Sequence, residues 1–164
     1  MDLLDISLIL SITLCSLVSG FISTYAIVVM PGLSNLSDRD FIRAFQVTDA
    51  VIQNNRPVFM FTWIGSIVSL ITTIVTSVIS FGLAETWLVV LLSVIYLLGV
   101  HGVTLAVHIP LNNHVQKVVI EHSSDVAIKH ERVQFERKWN VFNNIRTCIS
   151  ISVSLLLLVL LSLR

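Results

Sequence analysis

The chain has 164 residues, 55% hydrophobic and only 12% charged, with ten basic residues balanced by ten acidic ones. A water-soluble domain carries roughly 25% charge, so this composition, with a mean hydropathy of +0.90, points to an integral membrane protein. Zero net charge leaves no basic face for phosphates, which excludes a nucleic-acid binder. The two cysteines, Cys15 and Cys148, lie inside apolar stretches as small buried residues and form no disulfide framework, metal motif or redox motif.

Four stretches reach the ~20 apolar residues that cross a bilayer: about Ile6–Met30, Val58–Phe81, Trp87–Ile109 and Arg146–Leu163. The last is entered from Trp139, so the spans are about 6–30, 58–81, 87–109 and 139–163 of a single domain, 1–164. Asp2 and Asp5 at the start, without Lys or Arg, argue that the first stretch stays as a span and is not a cleaved signal. In lipid the backbone must satisfy itself, and the short alternating strands of a barrel are absent. The expected fold is all-α: a four-helix transmembrane bundle with short amphipathic helices in the two long loops.

Met30-Pro31-Gly32 reads as the turn that ends span one. Ser37 with Asp40 then resembles a capping box and opens a short amphipathic helix with Phe41, Phe45, Thr48 and Ile52 at helical spacing. Asp38, Asp40 and Asp49 read as capping and surface charges. Asn54-Asn55-Arg56-Pro57 ends that helix, with Pro57 suited to the first turn of span two. The Ser/Thr stripe of span two, Ser66 to Ser80, predicts close packing through small residues in preference to a polar pore. The loop from Gly82 to Thr86 is short enough to make spans two and three a tight antiparallel hairpin.

Span three is expected to end at His108-Ile109-Pro110, with Asn112 capping a short helix through Val115, Val118 and Val119. Ser123-Ser124-Asp125 is a further N-cap signal, after which no breaker interrupts a helix that runs to the end. The loops after spans one and three hold Arg39, Arg43, Arg56, Lys117, Lys129, Arg132, Arg137 and Lys138, against Arg164 alone on the other side. The positive-inside rule places both loops in the cytoplasm and both termini outside. The sequon Asn35-Leu36-Ser37 would require the opposite, and the charges outweigh it.

Trp139, Asn143 and Arg146 fall at i, i+4 and i+7 and share one helix face. A charge at membrane depth costs at least ~2.5–3.5 kcal/mol and is normally turned inward and paired. Gln46, His108 and Asn112 gather at the same end of the bundle. Chemically, Trp139 offers a face, the amides of Gln46, Asn112 and Asn143 supply hydrogen bonds, and Arg146 stabilises an enolate or phenolate. His108 is the general-base candidate, as the group there that titrates near neutrality. The structural alternative is a polar clamp in which Arg146 ties helices together. His101 and His108, seven residues apart on one helix, are separated by about 10 Å along the axis, too far to share a metal; no metal site and no cofactor is implied.

These pieces resemble the DUF1772 family of small four-helix membrane proteins, which includes the anthrone oxygenases of aromatic polyketide pathways. They are V-M-P-G-L (Val29–Leu33), A-F-Q ending at Gln46, I-Q-N-N-R-P-V-F around Pro57, L-L-G-V-H-G-V-T-L (Leu97–Leu105), I-P-L-N-N (Ile109–Asn113) and W-N-V-F-N-N-I-R-T (Trp139–Thr147). The ordered set spans nearly the whole chain. The resemblance implies the four-span fold, carries Gln46, Pro110, Asn112, Asn143 and Arg146 over as matched positions, and has His108 where asparagine is common. It implies a cofactor-independent oxidoreductase acting on a lipophilic aromatic or quinone-like small molecule. The alternative is a non-enzymatic membrane protein that binds a lipid or a partner protein.

Overall fold

The computed structural model describes residues 2–54 and 56–164; Asn55, in the expected helix-ending segment, lies outside them. Five helices and no strand occur among the described residues. Four are long and apolar enough to cross a membrane: α1 (Leu3–Ser34), α3 (Pro57–Phe81), α4 (Leu83–Gln116) and α5 (Asp125–Ser162). The fifth, α2 (Asp38–Gln53), is amphipathic and lies between the first two. This is the four-helix membrane bundle that the hydropathy pattern predicts.

Local chemistry explains the ends. Asp2 and Asp5 form a reciprocal capping box on α1, Ser37 caps α2, Pro57 starts α3, and Ser124 caps α5 by accepting from Ala127 N–H at 3.3 Å. Only Gly82 separates α3 from α4, at φ +79° and ψ 158°, a conformation open essentially to glycine alone. The hairpin is thus tighter than the Gly82–Thr86 loop expected.

Two expected helix ends are not ends. α1 runs through Pro31 to Ser34, and α4 runs through Pro110 to Gln116. Each proline is preceded by a π-helical turn, Tyr25–Val29 in α1 and Thr104–His108 in α4. There Met30 N–H bonds to Tyr25 C=O and Ile109 N–H to Thr104 C=O, both i→i−5. The wider turn accommodates a ring that would clash with an α-helical i−4 carbonyl. Residues Ile109–Gln116 are helical as anticipated, but continuous with the span, and the chain from Lys117 to Ser124 makes turns instead of a separate helix.

Small polar residues draw α1 and α3 together. Ser11 and Thr73 hydroxyls meet at 2.9 Å, Ser7 and Thr76 at 3.1 Å, so the stripe of span two serves packing. At the end carrying the chain termini, Arg164 pairs with Asp2 and Asp5 at 2.9 and 3.0 Å. At the other, loop-bearing end, α5 extends past the bilayer: 38 residues give roughly 57 Å at 1.5 Å per residue. Against this extension α2 buries Phe41, Ile42 and Phe45 on Phe135 and Trp139. Arg132 holds the junction by donating to the Ser34 and Leu36 carbonyls at 2.8 Å each and to Asp38 at 3.0 Å.

Gly82→Ala should lower stability by about 1–3 kcal/mol, the scale of an enforced sparsely allowed backbone conformation. Gly20→Ala, in mid-helix with nothing within 4 Å of the added Cβ, should be neutral or stabilising by up to ~1 kcal/mol. Unfolding in mixed micelles under increasing denaturant measures both.

Candidate active site

Between the apolar core at the terminal end and the aromatic cluster under α2 lies a cavity of about 900 Å³. All five helices contribute to its wall. α3 and α4 meet at Trp63 and Ser66 against His101, where Ser66 Oγ and His101 Nε2 are 3.2 Å apart. Nearer the loops the two helices draw apart, and α2 supplies Phe45, Asp49 and Ile52 to the wall. The wall is mostly apolar and aromatic, with Phe59, Trp63 and Trp139 among its rings. Tyr25, His101, Thr104 and His108, which also face the cavity, all sit on π-helical turns. Widening the helix at these points turns polar side chains inward that a regular helix would distribute otherwise.

Arg146 is 6% exposed and lines the cavity. Its Nε donates to Asn143 Oδ1 at 3.0 Å and its NH1 to Thr104 Oγ1 at 2.8 Å. Its guanidinium carbon stands 5.7 Å from the centroid of the Trp139 ring. No carboxylate pairs with it among the described residues. A guanidinium has five donors, and two are engaged here, so the remaining N–H groups are free for an oxyanion. His108 is 2% exposed, packs edge-on against Trp139 at 5.2 Å between centroids, and lines the same cavity. Neither of its ring nitrogens has a hydrogen-bond partner among the described residues. The neighbours of His108 are the indole and a mostly apolar wall.

Of the other candidates, Trp139 and Asn112 line the cavity. Trp139 Nε1 donates to Asn112 Oδ1 at 3.0 Å. Asn112 sits within α4 and caps nothing, because the helix passes through Pro110. Asn143 is fully buried, donates to the Ile22 carbonyl at 3.2 Å and supports Arg146 from behind. Gln46 stands off the cavity: its amide donates to the Val115 and Val118 carbonyls at 2.8 and 2.9 Å, which holds α2 on the end of α4.

Asp49 is the residue that sequence reasoning misplaced. It is 2% exposed, not a surface charge, and it lines the cavity. Its carboxylate accepts from Asn112 Nδ2 at 2.7 Å, Gln53 Nε2 at 2.6 Å and Gln116 Nε2 at 3.0 Å. The signal was available, since Phe41, Phe45 and Asp49 recur every four residues on the buried stripe of α2. Thr104 was missed as well, although His101, Thr104 and His108 share a helix face. Among the described residues, no group of three or more His, Cys, Asp or Glu side chains is placed to hold a metal ion.

A family model described as anthrone oxygenase matches residues 58–156, 99 of the 164 positions. The chain belongs to the anthrone oxygenase family. The match covers α3, α4 and most of α5, and hence His101, Thr104, His108, Asn112, Trp139, Asn143 and Arg146; Asp49 and the rest of α2 precede it. No curated protein and no solved structure matches the chain.

Arg146→Ala should destabilise the bundle by about 1–3 kcal/mol, because it leaves the buried Asn143 Oδ1 without its donor. Arg146→Leu, which refills the volume with apolar surface, should recover part of that loss. Denaturant midpoints of the two variants give the comparison, and equal losses would contradict it.

Proposed function

We propose that this family member is an oxygenase that oxidises a lipophilic, planar, oxygen-bearing aromatic molecule of the anthrone type, with no metal or flavin required. The observation that carries the reading is a buried guanidinium without a carboxylate and a buried imidazole without a partner, both facing one largely apolar cavity. A cavity of this size and lining suits a drug-sized ring system.

In an anthrone the acidic CH2 and the carbonyl lie on opposite edges of the central ring, so base and oxyanion holder must stand apart. We assign these two places to His108 and Arg146, both of which line the cavity and pack against Trp139. His108 takes one proton from the CH2. The electron pair left behind delocalises onto the carbonyl oxygen, and Arg146 holds that oxyanion in a site poor in water. The carbanion reduces and adds dioxygen, giving a peroxide that picks up the proton. Loss of the second C–H proton with cleavage of the O–O bond leaves a new C=O and releases water. The balance is one anthrone and one O2 consumed for one quinone and one water formed.

A non-enzymatic lipid or partner binder is supported by the same contacts read as a clamp, since Arg146 links Thr104 of α4 to Asn143 of α5. Lysine and arginine counts in the two long loops support a cytoplasmic position for that end.

Purified protein supplied with an anthrone and oxygen should form quinone with that stoichiometry in the presence of a chelator. Arg146→Leu should lose about 10²–10³-fold in turnover, the cost of removing an oxyanion donor, and His108→Phe about 10²–10⁴-fold. Absence of turnover would favour the clamp, and turnover only with added metal would contradict the metal-free reaction.

A further inference from the structure

The carboxylate of Asp49 has no part in the reaction drawn above, yet it is placed where a carboxylate is costly. It continues the buried stripe of Phe41 and Phe45, at which an aliphatic residue would bury without penalty. No lysine or arginine pairs with it among the described residues; its partners are the three amides of Gln53, Asn112 and Gln116. A tether between α2 and α4 already exists through Gln46 and the Val115 and Val118 carbonyls.

We propose that Asp49 is a positioning residue, which acts through Asn112 to fix the Trp139 indole against which His108 and Arg146 are packed. An ionised carboxylate only accepts hydrogen bonds. Asn112 must therefore turn its Nδ2 toward Asp49, at 2.7 Å. That leaves Oδ1 facing the other way, where it accepts the Trp139 Nε1–H at 3.0 Å. Reversing the amide would set two donors against each other at the indole. The negative charge thus selects one of two amide orientations, and the indole follows. His108 at 5.2 Å and Arg146 at 5.7 Å from the Trp139 rings both pack on that indole.

The catalytic consequence rests on the oxygenase reading, whereas the relay itself does not. The three tryptophans, Trp63, Trp87 and Trp139, give three indole N–H signals in a ¹⁵N–¹H spectrum of the full chain in micelles. Asp49→Ala should move the Trp139 signal upfield, as its bond to Asn112 is lost, and leave Trp87 in place. Gln53→Leu removes a different bond to the same carboxylate and should leave Trp139 unmoved. If Asp49→Ala does not fold, Asp49→Asn keeps the shape and discards the charge, and the Trp139 signal should move upfield or split between two amide orientations. In whichever Asp49 variant folds, a single unmoved Trp139 signal overturns the proposal. So does an equal shift in Gln53→Leu, which would mean that α2 has merely loosened. Where turnover is measured, Asp49→Ala should lower kcat about tenfold to a hundredfold, as misplacement of reacting groups does, with little change in KM. An inactive wild type would sink the oxygenase reading while the indole signals still judge the relay.

Discussion

Everything at the loop-bearing end of this bundle is arranged around one buried, permanently charged side chain. Arg146 sits about six turns into α5 and two turns past Trp139, where water is scarce, and a guanidinium at such depth is costly unless its donors are met. The structure meets them in part and without a counter-ion: an amide oxygen of Asn143 and a hydroxyl of Thr104, with the Trp139 ring alongside. Asn143 is itself anchored on the Ile22 carbonyl, so α1, α4 and α5 all converge on the arginine. The buried carboxylate in the cavity wall, Asp49, is engaged elsewhere by three amides. A fully compensated clamp would have joined the two charges. Keeping them apart leaves an electropositive point facing an apolar chamber, which is the environment in which a developing oxyanion gains most.

The prolines set that chamber's polar rim. Pro31 and Pro110 would end or sharply kink α-helices, and the turns that precede them absorb the misfit by widening. The same widening presents Tyr25, Thr104 and His108 to the cavity. A helix irregularity forced by sequence is thereby also the device that aims side chains. Gly82 acts at the far end of α3 and α4, closing the hairpin so that the two helices can separate where the cavity lies.

Much of this was legible in the sequence. The four spans follow from hydropathy, the caps at Ser37 and Ser124 from their side chains, and the inward face of α5 from the spacing of Trp139, Asn143 and Arg146. What was not legible has physical reasons. A proline reads as a stop, and a π-helical turn has no residue signature of its own, so the sequence pattern predicts α1 and α4 shorter than they are. Asp49 was read as solvated because an acidic residue on an amphipathic helix usually is; its burial depends on amides from Asn112 and Gln116, on a helix expected to have ended already. Gln46 and Asn112 both had polar atoms at the right end of the bundle, yet only the contacts show that one holds helices and the other faces the cavity.

The central claim is that Arg146 holds an anionic aromatic oxygen, and a phenolic ring system that cannot react with oxygen tests it without turnover. A hydroxyanthraquinone titrated into the purified protein at a pH below its own pKa should bind as the phenolate, with the red-shifted absorption of that form, and the shift should vanish in Arg146→Leu while the fold persists. Binding with an unshifted spectrum, or an equal shift in Arg146→Leu, would contradict the account.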